Sequence, residues 1–99
     1  MLSRVRPAFD FDRITPNVAI WHSYDSAVKA ELYSTCLVTS DGTYLVDPVP
    51  LQRGALDELI RSDPVAGIIV TSSKHHRDAA RFAEHFSAPI LAHDDTVSR

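Results

Sequence analysis

Residues 31–48 read ELYSTCLVTSDGTYLVDP, and the fold turns on how this stretch is read. Along 31–40, Leu32, Ser34, Cys36 and Val38 share one face and Tyr33, Thr35, Leu37 and Thr39 the other, the period of two that marks a half-buried strand. Residues 43–47, TYLVD, form a second run of β-formers. Between the two runs stand Asp41 and Gly42. Asp-Gly closes tight hairpins because glycine accepts the positive φ of a primed turn. The expectation is a two-residue turn at Asp41 and Gly42, joining antiparallel strands. Pro48 and Pro50 then stop the second strand, since proline has no backbone N–H to give to a ladder.

Upstream, residues 18–24 (VAIWHSY) are rich in β-formers and read as a partly buried strand. Residues 1–16 mix Arg, Asp, Phe and Pro without a period, which predicts an irregular lead-in with Phe9 and Phe11 pinned to the body. Downstream, Leu51, Ala55, Leu56, Leu59 and Ile60 fall on one side of a helix within 51–61. Residues 65–71 (VAGIIVT) are continuously apolar, as in a central strand covered on both faces. Ala79, Phe82, Ala83 and Phe86 keep an i, i+3, i+4, i+7 spacing, which predicts a helix over 74–86. Ser72 or Ser73 stands where its N-cap belongs. Ser87, Ala88 and Pro89 break that helix, and 90–93 begins a short strand. Strands followed by alternating helix and strand give an α/β (α+β) class: a mixed sheet with helices on one face, and one domain over 17–99.

The totals are those of an ordinary soluble globular protein: 99 residues, 44% apolar and 23% charged. Ten basic against thirteen acidic side chains leave a formal charge of −3, which speaks against a broad nucleic-acid footprint built on clustered Lys and Arg. Residues 1–12 lack the apolar core of a secretion signal. No stretch approaches the ~20 apolar residues that span a bilayer. Cys36 is the single cysteine, so no internal disulfide forms, and a cytoplasmic, reducing location is expected.

The order of elements, with the residues at its corners, resembles the first half of the metallo-β-lactamase fold over roughly residues 33–93. In that family an early hairpin ends in an aspartate, as Leu45-Val46-Asp47-Pro48 does here. A helix and a buried strand follow, and the strand runs into Thr-His-x-His-x-Asp-His at the head of the next helix. Here Ile68-Ile69-Val70-Thr71 matches the strand, but the four metal-binding positions fall on Ser72, Lys74, His76 and Arg77. None keeps the family's residue. Zinc needs three or four N, S or O donors at ~2.0–2.3 Å, and Lys74 and Arg77 would repel it. Thr71, His75 and Arg77 match instead the Thr-x-x-x-His-x-Arg of degenerate members that keep the scaffold and lose the dinuclear site. The resemblance implies half of an αββα sandwich. It also implies that the family's later ligands lie beyond Arg99, so that one copy does not complete the site.

Each candidate residue is weighed against a plainer role. His75, His76 and Asp78 form the one cluster of metal donors, with His75 and Asp78 as i, i+3 neighbours. Lys74, Arg77 and Arg81 crowd the same turn with positive charge, and Asp78 suits the helix dipole as a solvated first-turn residue. Asp47, a second-shell carboxylate in the family, is expected here to cap the Pro48 turn by an Asx-type bond. Cys36 is expected to be a small buried hydrophobe and not a nucleophile, since nothing places a base beside it. Lys74, Arg77 and Arg81 at a helix start would attract an anion, but no glycine-rich loop precedes them. Trp21, Tyr24 and Tyr33 form either a partner surface or one edge of the core.

The reading is therefore a non-catalytic metallo-β-lactamase-like domain or fragment, with a binding or structural role and no metal or cofactor. Its rival is a hydrolase of that superfamily with a remodelled site, using His75, His76, Asp78 and groups from another chain. As only one sheet face has helices to cover it, a homodimer through the open face is expected, with no nucleic-acid or membrane partner.

Overall fold

Strand β3 (Ala30–Thr39) and strand β4 (Gly42–Val46) form the hairpin that the alternation predicts, paired from Thr39↔Gly42 to Thr35↔Val46. The computed structural model describes residues 7–26, 29–60, 64–71 and 76–92. Around the hairpin, a single mixed sheet runs in the order β1 (Asp12–Thr15), β2 (Val18–Asp25), β3, β4, β5 (Val65–Val70), β6 (Ile90–Ala92). The first four strands are antiparallel neighbours, whereas β5 and β6 are parallel to β4. Helix α1 (Arg53–Ile60) carries the chain from β4 to β5, and helix α2 (His76–Phe86) from β5 to β6. Two successive crossovers of one hand put both helices on the same face.

That face is the core. Ala19, Trp21, Cys36, Leu45, Ile68 and Val70 point to it from the sheet, and Leu56, Leu59, Ala79 and Phe82 meet them from the helices. Trp21, Leu45 and Ile68 are essentially inaccessible. Burying each such side chain contributes about 1.5–3 kcal/mol. Among the described residues, the other face has no helix. Its rows, read from the register, are Val18–Leu37–Tyr44–Gly67 and Ile20–Thr35–Val46–Ile69–Leu91.

Two expectations change. The lead-in is not irregular throughout: Asp12–Thr15 pairs with β2, and Ala8 bridges to Leu51. All four β1 side chains are exposed, so the strand rests on backbone bonds and leaves no apolar period to read. The hairpin turn is Ser40 and Asp41, one residue earlier than Asp41 and Gly42. The Thr39 hydroxyl holds it, accepting from Asp41 N at 3.1 Å and donating to Gly42 O at 2.9 Å. The positive φ does fall on Gly42, at 130°, but Gly42 is the first residue of β4. As expected, helices cover the sheet on one face. On the other face of β5, Ile69 is half-buried and Gly67 lies beneath Tyr44 and Leu91, whereas Val65 packs against the core cluster. The helices themselves fall within the predicted 51–61 and 74–86. Ser72, Ser73, Lys74, His75 and His93 lie outside the described residues.

Candidate functional site

The end of β4 and the end of β5 lie side by side, and the chain leaves both at one corner. Asp47 follows β4. Its N–H donates to Ile69 O at 2.8 Å, which continues the parallel ladder one step past the strand. Its φ is +47°, in the left-handed region that Asp tolerates better than most side chains. A residue before proline is also restricted, so Asp47 is held in a conformation it would not choose alone. Such local strain persists where the surroundings over-determine it.

The surroundings here are specific. The buried Ser34 hydroxyl donates to Asp47 O at 2.7 Å and accepts from Val49 N at 2.7 Å. The buried Trp21 indole N–H donates to Val49 O at 2.8 Å. Side chains from β2 and β3 thus satisfy the backbone of residues 47–49, which has left the sheet and cannot satisfy itself. Pro48 and Val49 are fully buried.

This fixes the direction of the Asp47 carboxylate. Oδ1 accepts from Thr71 N at 2.8 Å, and Oδ2 accepts a hydrogen bond from Thr71 Oγ1. Both oxygens therefore grip the residue that leaves β5 toward α2. The expected Asx-type cap on the Pro48 turn is not what forms, because the left-handed turn at Asp47 aims the carboxylate across the ladder to β5. Hydrogen bonds to a charged acceptor contribute about 1.5–3 kcal/mol each when shielded, and less at a half-buried edge.

The other candidates are dispersed. Cys36 is buried within β3. Trp21 belongs to the core, whereas Tyr24 and Tyr33 are 50% and 61% exposed on the opposite face. Tyr33 stacks obliquely on His22, whose ring nitrogen pairs with Glu31 at 2.9 Å. His76 and Arg77 are the first residues of α2 and Asp78 lies in its first turn, half-buried. Arg81 is exposed one turn on. Ser72, Lys74 and His75 lie outside the described residues. Ser34 was not singled out beforehand, although a polar residue on the core-facing side of β3 was its signal.

The donor chemistry at the corner does not suit the zinc pair of the family. Two of the four corresponding positions, Lys74 and Arg77, are cations, and Ser72 is a weak donor. The Asp47 carboxylate has both oxygens on Thr71. Among the described residues no group of three His, Cys, Asp or Glu side chains converges.

No curated protein matches the chain. The family model described as the metallo-beta-lactamase superfamily matches residues 12–96. That span takes in every strand and both helices. With the Asp47 corner set between the ends of β4 and β5, the chain belongs to the metallo-β-lactamase superfamily.

Proposed function

We propose that this chain is a non-catalytic member of the superfamily, a binding or structural module in which the metal-site corner serves to fasten the fold. The observation that carries the reading is the engagement of Asp47. Its carboxylate closes on Thr71 N and Oγ1, so its two oxygens are already engaged in fastening β4 to β5. In the sequence, Lys74 and Arg77 stand where the family has metal ligands. A cation in place of a metal ligand raises the electrostatic cost of holding a divalent ion.

The same reading puts the chain in the cytoplasm, in keeping with its single, buried Cys36. No helix among the described residues is long and apolar enough to cross a membrane.

Elemental analysis of the protein, after dialysis against zinc and then buffer, tests the proposal. The expected content is far below one equivalent of zinc, iron or manganese per chain. About one equivalent, lost in His75→Ala/His76→Ala, would replace this reading with that of a hydrolase with a remodelled site.

A further inference from the structure

Strand β2 has an unpaired edge beside a cleft, and we infer that an extended peptide with basic and apolar residues in alternation pairs with it there. The inference is independent of the metal question, because none of the residues it uses stands at one of the family's metal-ligand positions.

Strand β1 covers only the first part of β2, and its pairing ends at Asp12↔Ile20. Upstream of Asp12 the chain turns away: Ala8 N–H donates to Pro50 O at 2.9 Å, and Ala8 O accepts from Gln52 N at 2.8 Å. Residues 21–25 of β2 thus have β3 on one side and, among the described residues, no strand on the other. The phase of the ladder decides which backbone groups are left over. Val38 N donates to Asn17 O, and β2 pairs with β3 without a register shift from Val18↔Leu37 to Asp25↔Ala30. In an antiparallel ladder, alternate residues turn both backbone groups to the same neighbour. Trp21, Ser23 and Asp25 therefore turn theirs to β3, and His22 and Tyr24 turn theirs to the free side.

That side is a cleft of about 680 Å³ between residues 7–12 and residues 21–26. Phe9, 79% exposed, and Tyr24, 50% exposed, are among its walls. An open edge of this kind is a template for strand addition, in which main-chain bonds give affinity and alternate side chains give selectivity.

The register fixes the chemistry of the partner. A residue placed opposite His22 or Tyr24 has its side chain on the same sheet face as those two. Asp12, opposite Ile20, and Glu31, opposite Tyr24, are on that face, and both line the cleft together with Asp10. No Lys or Arg is among the described residues of the lining, and His22 already pairs with Glu31 at 2.9 Å. Arg13 of β1 turns to the Phe11 ring, 5.5 Å from its centroid, on the other face. Lysine or arginine therefore suits the positions opposite His22 and Tyr24. The peptide residues between them point to the helix side, where Phe11 lines the cleft and packs against the core cluster. Apolar side chains suit those positions.

Titration of the full chain with a capped heptapeptide alternating lysine and valine, followed by amide NMR, tests the inference. The His22 and Tyr24 amides are expected to shift, and the same peptide with glutamate for lysine is expected to bind about tenfold more weakly or less. Asp12→Asn/Glu31→Gln removes two exposed charges and should weaken the lysine peptide about fivefold. Tyr24→Pro takes away an N–H that β3 does not use, so the β2–β3 ladder stays while the peptide loses a main-chain bond. Tyr24→Ala keeps that N–H and should bind the peptide more tightly than Tyr24→Pro. No shift at about 1 mM peptide, equal binding of the lysine and glutamate peptides, or shifts that spare His22 and Tyr24 would overturn the inference. So would lysine amide alone moving the same two amides as strongly, since the cleft would then take a small cation and no strand.

Discussion

Asp47 and Ser34 divide the work of one corner between a charge and a hydroxyl. Asp47 accepts a left-handed backbone and uses its carboxylate to hold Thr71. Ser34 makes that backbone tolerable by donating to Asp47 O and accepting from Val49 N, with its own side chain only 1% exposed. Removing the hydroxyl leaves a buried carbonyl and a buried N–H without partners, at about 1–3 kcal/mol each. Ser34→Ala is therefore expected to cost about 2–4 kcal/mol, a large share of a small domain's stability. Urea unfolding measures it directly. A cost under about 0.5 kcal/mol, the level of an ordinary surface change, would mean that water replaces the hydroxyl and that the corner is looser than described. Thr43 is a useful contrast: its hydroxyl is buried and has no hydrogen-bond partner, so a Thr43→Val change at this site removes a desolvation cost.

At the scale of elements, the β3–β4 hairpin shows what the residues announce and what they leave to context. The alternation along 31–40 gave the correct faces, with Ser34 and Cys36 inward and Tyr33 and Thr35 away from the core. The turn shifted by one residue because Thr39 supplies local hydrogen bonds that Asp41 and Gly42 do not need to provide. Gly42 is constrained by something no local rule contains. A Cβ there would stand 2.9 Å from Ala66 Cβ and 3.3 Å from Pro64 O, across a parallel pairing to the start of β5. Gly42→Val combines that collision with a branched side chain at positive φ, and is expected to cost about 2–4 kcal/mol. A variant that unfolds at the same denaturant concentration as the parent would contradict this placement. Strand β1 was illegible for the opposite reason, since a strand exposed on both faces needs no apolar pattern. Helix α2 was easy to read because its Ala79, Phe82 and Phe86 stripe must meet the sheet. The bond from Asp47 to Thr71 spans 24 positions in sequence, and the spacing of residues cannot predict it.

At the scale of the whole molecule, a six-stranded sheet has one face closed by two helices. The principal extents, 34 × 31 × 23 Å, describe a slab. The ends of β4 and β5 form one rim of this slab, and there the family's metal chemistry and this chain's residues part. On the proposed reading, the bonds between Asp47 and Thr71 hold the rim and no metal is needed there. Ligand binding to a folded protein stabilises it with the logarithm of the ligand's excess over Kd, by about 2.7 kcal/mol at a hundredfold excess. For a domain of this size that would raise the melting temperature by on the order of 10 °C. The most direct measurement is thus the melting temperature in chelator and again in excess zinc. The account predicts the same value in both, within about 1 °C. A rise of several degrees in zinc, abolished by His75→Ala/His76→Ala, would contradict it.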